Sequence, residues 1–149
     1  MERTLVFVKP DGVQRRLVGR IIARFEDKGL RIAAMKMMKV GRALAERHYA
    51  EHKGKPFYEK LLAFVTGGPV VAMVIEGNDA INVVRRMLGK TFGIEAEPGT
   101  IRGDFGAAKT FNLVHGSDSL ASAQREIDLY FQPGEICSAP RVGEEWIFD

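Results

Sequence analysis

A single cysteine, Cys137, in 149 residues excludes an internal disulfide. No apolar run approaches the length needed to span a bilayer, and Met1-Glu-Arg opens without the apolar stretch of a signal segment, so a reducing, cytoplasmic setting is expected. Histidine is scarce as well, with only His48, His52 and His115. His48 and His52 stand four apart with no third ligand pattern, and no Cys, His or carboxylate follows His115 at ligand spacing, so an all-protein metal site is not expected. The usual glycine-rich phosphate motifs are missing too. Gly89-Lys-Thr91 looks like the end of a P-loop, but that motif needs a glycine at position 84, which is Val84 in the middle of a helical stripe; no strand leads into G-x-G-x-x-G. A phosphate site therefore has to be built from side chains.

What is present suffices for one domain covering residues 1–149, because 46% hydrophobic residues can fill a core without metal or disulfide staples. The net charge of +3 hides an asymmetry: residues 1–60 hold 15 Lys and Arg against 7 Asp and Glu, and the rest hold 7 against 12. A basic half suits a cleft for a small polyanion such as a nucleoside triphosphate; it also suits a nucleic-acid surface or a plain solvated face.

Thr4 to Val8 is a short apolar, β-branched run closed by the turn formers Lys9-Pro-Asp-Gly12, and reads as a buried strand. Val18, Ile21, Ile22 and Phe25 repeat at helical spacing ahead of Gly29, a C-cap glycine. Ile32 to Val40 is a second strand; Arg42 to His52 and Phe57 to Phe64 form an inserted helical hairpin. Val70 to Glu76 is the strongest strand signal, and Asn78 or Asp79 caps a helix carrying Ile81, Val84 and Leu88. Residues 89–111 show no sustained period and are expected to be a functional loop. Asn112 to Val114 is a last strand, and Ser119 caps a helix with Leu120, Ala123, Ile127 and Tyr130 inward. Two β-α-β units in series, with helices covering one face of an antiparallel sheet, predict an α+β, ferredoxin-like split β-α-β sandwich.

Within Asn112-Leu-Val-His-Gly-Ser-Asp-Ser119, His115 sits beside Gly116 and a run of small polar residues, where its imidazole is uncrowded and can act as a nucleophile. Its other nitrogen then needs an acceptor that fixes the tautomer, and Glu126, on the same face of the last helix as the cap residue, can supply it. A structural histidine and a surface carboxylate are the plain alternatives. Lys9, Arg85, Thr91 and Arg102 are the candidates for holding phosphates, and Arg102 stands out in the glycine-punctuated Thr100-Ile-Arg-Gly-Asp-Phe105. Mg²⁺ arriving on substrate phosphates, with Asp118 touching its water shell, is more plausible than a metal bound by protein alone.

Asn112-Leu-Val-His-Gly-Ser-Asp118 resembles the signature around the phosphorylated histidine of the nucleoside diphosphate kinase family. Thr4-Leu-Val-Phe-Val-Lys-Pro-Asp-Gly12, His48-Tyr49, Lys55-Pro-Phe57, Gly68-Pro-Val-Val-Ala-Met73, Met87-Leu-Gly89 and Pro98-Gly-Thr-Ile-Arg-Gly-Asp-Phe105 fit as well, in order and over nearly the whole chain. The resemblance implies a ping-pong enzyme in which His115 takes the γ-phosphoryl group of a nucleoside triphosphate, mainly ATP, and passes it to any nucleoside diphosphate, maintaining nucleotide pools. It implies that Glu126 orients His115, that Ser117 supports the carboxylate, and that Tyr49 lies beside the imidazole. Lys9 and Asn112 would meet the ribose and nearby phosphate, Arg85, Thr91 and Arg102 the phosphates, and Phe57 with Leu61 the base. It further implies Mg²⁺ as cofactor and a homohexamer or homotetramer built from a common dimer. Two places depart from the family's pattern: Lys109 stands where an apolar residue usually closes over the base, and Phe92-Gly93 stands where Asn-Pro is common.

Two other readings compete. A ferredoxin-like sheet with a basic half could hold single-stranded nucleic acid, although Val70 to Ile75 lacks the aromatics such sheets present. A phosphohistidine relay to proteins is compatible with the kinase.

Overall fold

The computed structural model describes residues 1–149. Strand β1 (Glu2–Val8) leads into a short helix α1 (Pro10–Gln14), then α2 (Val18–Asp27) and β2 (Arg31–Lys39). The inserted hairpin is α3 (Arg42–His48), a 3₁₀ turn at Ala50–His52, and α4 (Tyr58–Thr66). After β3 (Pro69–Gly77) come α5 (Ala80–Leu88), α6 (Ile101–Phe105), β4 (Val114–Gly116) and α7 (Leu120–Tyr130).

The four strands are ordered β2-β3-β1-β4 and every neighbouring pair is antiparallel. That order is the one expected of a split β-α-β arrangement, with each crossover helix returning its strand to the sheet. Helices cover both faces, however, and not one. Val6 and Val8 of β1 pack with Ile21 and Phe25 of α2 and with Val84 and Leu88 of α5. Leu5 and Phe7 point the other way and pack with Ala45, Leu62 and Val65 of the hairpin and with Ile127 and Tyr130 of α7. Burial on both faces explains why β1 and β3 read as nearly continuous apolar runs without alternation. It also removes the open sheet on which a single strand of nucleic acid could lie.

Several local expectations shift. Pro10-Asp-Gly12 begins helix α1 instead of a simple turn, because Pro10 occupies a first-turn position where its missing N–H costs nothing. Asp79 stands at the α5 N-terminus but makes no capping bond there; the backbone N–H of Ile81 donates instead to Glu2 Oε1 at 2.8 Å, so β1 caps the helix from across the sheet. The last strand lies two residues later than expected, since Leu113 takes φ 70° and only Val114 onward pairs with β1. Leu120 is exposed, the first helical residue rather than part of the inward stripe, while Ser119 accepts the capping bond from Ser122 as expected.

The tail folds back on its own chain. Cys137 N–H donates to Ala33 O at 2.7 Å, Arg31 pairs with Glu144 at 3.2 Å, and Ile147 lies against Gly29. Trp146 remains 88% exposed. No helix is long and apolar enough to cross a membrane.

Candidate active site

Residues of β1 and β4 face each other in register, with Phe7 opposite His115. Directly opposed residues project to the same face, so His115 joins the side of the sheet covered by the hairpin and α7. There its ring stacks on Phe7, with centroids 4.9 Å apart. The imidazole is thus packed against Phe7 on one side, while the residue borders an open cleft. Gly116 has another cause: a Cβ there would sit 2.7 Å from Leu88 Cδ1, and its φ is not positive.

Helix α7 brings Glu126 beneath the histidine. Ala123, Glu126, Ile127 and Tyr130 are its buried stripe, which is why a carboxylate is carried into the interior. Glu126 Oε1 is hydrogen-bonded to His115 Nε2, receives the Ser117 hydroxyl at 3.3 Å, and lies 3.1 Å from His48 Nε2. His115 Nδ1 makes no bond within the chain, and the residue borders the open cleft. Burial holds His115 below the usual imidazole range, so the ring is neutral. Burial would raise Glu126, but hydrogen bonds from His115 and His48 outweigh it and hold the carboxyl ionised well below its ordinary range.

Sequence reasoning missed His48 and Tyr130 as parts of this centre. A second imidazole stands beside His115, with Nε2 atoms 3.3 Å apart, although none lies at ligand spacing around it in the sequence. It arrives from the hairpin, 67 residues away in sequence, so ligand spacing could not show it. His48 is inward on α3, three residues after buried Ala45, and that periodicity was the available signal. With Glu126, the two histidines are also the one group of donor atoms in the chain close enough together to meet a metal ion. They are already engaged with one another through the carboxylate. Tyr49 stacks on His48 with centroids 4.3 Å apart and stands edge-on to His115 at 6.4 Å.

The cleft in front of His115 encloses about 830 Å³ and collects residues from both halves of the chain. At one end is a cationic wall. Lys9 Nζ donates to Asn112 Oδ1 at 2.7 Å, and Asn112 Nδ2 donates to Thr91 O at 3.0 Å. Arg102, on α6, donates to Asn112 O, Gly89 O and Val114 O at 3.2, 2.9 and 2.8 Å, which fixes its guanidinium at the rim. Arg85, on α5, reaches Gly116 O at 3.3 Å. Burial, reinforced by Arg102, lowers the Lys9 ammonium to about 8, and burial beside Arg85 lowers Arg102 to about 10. Clustered, partly desolvated cations of this kind favour a polyanion that restores their counter-charge.

At the other end are apolar surfaces. Phe57 is 47% exposed at the start of α4, with Leu61 one turn on; Phe64 and Phe111 meet at 5.3 Å. Lys109 lines the same mouth. Asp118 borders the cleft and makes no hydrogen bond, while Ser117 stands behind the reacting face. Every sequence-proposed site residue is therefore in or against one cavity.

A sequence model described as Nucleoside diphosphate kinase matches residues 2–136. The chain belongs to the nucleoside diphosphate kinase family. It is 57% identical to a nucleoside diphosphate kinase of Listeria monocytogenes serotype 4a over 147 residues, 99% of this chain and 100% of that one. A nucleoside diphosphate kinase of Archaeoglobus fulgidus is 57% identical over 149 residues, 100% of this chain and 99% of its own. Among solved structures, a halophilic nucleoside diphosphate kinase from Halobacterium salinarum in complex with CDP superposes with TM-score 0.97 at 48% identity, covering 99% of each chain. A nucleoside diphosphate kinase family protein from Babesia bovis gives TM-score 0.96 at 47% identity, covering 99% of this chain and 100% of that one. These family members span the fold from end to end, so the site lies on a full-length match.

Proposed function

We propose that the protein transfers the γ-phosphoryl group of nucleoside triphosphates to nucleoside diphosphates by a ping-pong mechanism through His115. The observation that carries this reading is a neutral, partly buried histidine whose Nε2 is held by an ionised carboxylate, on the wall of a cation-lined cleft, with Nδ1 unbonded. In the first half-reaction the Nδ1 lone pair attacks the γ-phosphorus, the N–P bond forms, and the bond to the β,γ-bridging oxygen breaks with its electron pair leaving on the diphosphate. The ring gains positive charge as the bond forms, and Glu126 offsets it without taking the Nε2 proton. The second half-reaction is the reverse, with a different diphosphate as acceptor.

Lys9, Arg85, Arg102 and Thr91 bind the phosphates in this reading, with Asn112 beside Lys9 reaching the ribose. Phe57 and Leu61 supply the base platform. Stacking reads a π-face that every base has, so base tolerance is expected. Besides Glu126, the cleft is lined by the carboxylates Glu51 and Asp118, which are not gathered into a ligand set, and this fits Mg²⁺ carried on the nucleotide phosphates rather than held by protein ligands alone. When bound, Mg²⁺ neutralises phosphate charge. Ser117 steadies Glu126, and Tyr49 walls the imidazole. A cytoplasmic location suits an enzyme of soluble nucleotide pools.

Assembly as a homo-oligomer, a hexamer or a tetramer of dimers, belongs to the same reading. Its support is the outer strand β2, which pairs only with β3 and leaves Met35 and Met37 more than half exposed.

Initial rates of GTP formation from ATP and GDP test the mechanism. Double-reciprocal plots at several fixed GDP concentrations should be parallel; intersecting lines would mean direct transfer in a ternary complex and would contradict it.

A further inference from the structure

We propose that Tyr130 and His48 are positioning residues that lock His115 in the tautomer with a bare Nδ1. The inference deepens the phosphohistidine reading and rests on it for its catalytic consequence. Its ground is the proton inventory of three buried groups.

Tyr130 is 3% exposed and its hydroxyl has one hydrogen-bond partner, His48 Nδ1, at 2.6 Å. A buried hydroxyl with a single partner gives that partner its proton, because an O–H left unshared in the interior loses the hydrogen bond it had in water and gains none. His48 Nδ1 is then the acceptor, and a neutral His48 must carry its own proton on Nε2. That N–H meets Glu126 Oε1 at 3.1 Å. The Tyr49 ring, parallel to His48 within 5°, holds the imidazole plane on this line.

The orientation of His48 matters because its Nε2 is also 3.3 Å from His115 Nε2. With the proton on Nε2, His48 cannot accept from His115, and both rings donate to the one carboxylate oxygen. In the opposite tautomer, the bare His48 Nε2 would compete with Glu126 for the His115 proton and turn its own lone pair toward a carboxylate. Tyr130 selects against that arrangement. The same N–H, with the Ser117 hydroxyl, compensates the buried carboxylate for its lost water, so that it stays ionised as the phosphorylated ring becomes cationic.

Tyr130→Phe removes one oxygen and keeps the ring. The rate of His115 phosphorylation by Mg-ATP should fall about three- to tenfold, with nucleotide KM unchanged within about twofold, as expected for one positioning hydrogen bond. His48→Phe keeps a flat ring on Tyr49 without any N–H and should lose more, while His48→Gln returns an N–H and should recover most of the loss. Nitrogen-15 spectra of the nucleotide-free protein give a readout that stability alone would not move. Wild type should show His115 wholly as the Nε2–H form, and Tyr130→Phe a tautomer mixture, at thermal midpoints that show both folded. Tyr130→Phe and His48→Phe proteins with wild-type phosphorylation rates and a single His115 tautomer would overturn the lock. Failure of wild type to take up label would instead remove the phosphohistidine reading, leaving the nitrogen spectra to decide the lock itself.

Discussion

At the scale of single residues, the centre depends on keeping a histidine neutral in an enclosed place. Burial depresses the folded His115 below its ordinary 6.5, so the bare Nδ1 survives below that pH, where a free imidazole would protonate. The single-turnover phosphorylation rate should therefore stay level through pH 6.5 and decline only at more acid values; a half-loss at pH 6.5 or above would contradict the environment described. Lys9 sets the alkaline side. Its free-enzyme value of about 8 predicts that kcat/KM falls above that pH as the phosphate site loses a charge. The same shifts govern stability. Unfolded chains bind a proton at His115 before folded ones do, so stability diminishes as pH falls from 6.5 toward the folded value. Glu126, depressed from 4.5, adds stability above that value and loses it as pH falls through its folded range.

At the scale of elements, the segment from Gly89 to Phe111 shows what the sequence reveals and what it hides. Its lack of period and its glycines mark a functional loop, and the structure does place Thr91 and Arg102 on the cleft. Yet the segment is folded. It contains a 3₁₀ turn at Gly93–Glu95 and helix α6, capped by Thr100 accepting from Gly103 N–H at 3.0 Å. Helix α6 is too short for a helical period to show, and the glycines serve close backbone approach more than flexibility. A Cβ at Gly103 would lie 1.9 Å from Glu97 O, a backbone atom that cannot rotate away. Gly103→Ala should therefore displace α6 and its arginine, raising nucleotide KM by about tenfold and costing about 1–3 kcal/mol in urea unfolding; a variant with parental KM would show that Arg102 does not depend on this packing.

Long, strongly patterned elements were legible: β1, α2, β2, the hairpin, β3, α5 and α7 all lie where periodicity and breakers put them. What escaped was non-local. The cap on α5 comes from Glu2, and the second imidazole of the site comes from the hairpin, because side-chain bonds between distant segments leave no trace in spacing. The residues proposed from the signature were legible as a set, and the structure gathers them around one cleft. Tyr130, read as an ordinary core position on the α7 stripe, also carries a polar bond into the centre.

At the scale of the whole molecule, the charge asymmetry acquires a place. The basic first half contributes Lys9, Tyr49, Phe57 and Lys60 to the cleft, and the acidic second half contributes Arg85, Arg102, His115 and Glu126, so the cavity belongs to neither half alone. The tail is held by its own chain along β2, through Arg31 to Glu144, Lys36 to Glu135 and Cys137 N–H to Ala33 O. A sedimentation mass several times the 16.6 kDa of one chain is expected, and a monomer at micromolar concentration would contradict assembly. The most direct test of the central claim is incubation of the intact protein with γ-labelled ATP and Mg²⁺, followed by isolation and addition of unlabelled GDP. Acid-labile label on wild type, absent from His115→Ala, that moves wholly onto GDP is the expected result. A folded wild-type protein that takes up no label, or label that persists in His115→Ala, would contradict transfer through this histidine.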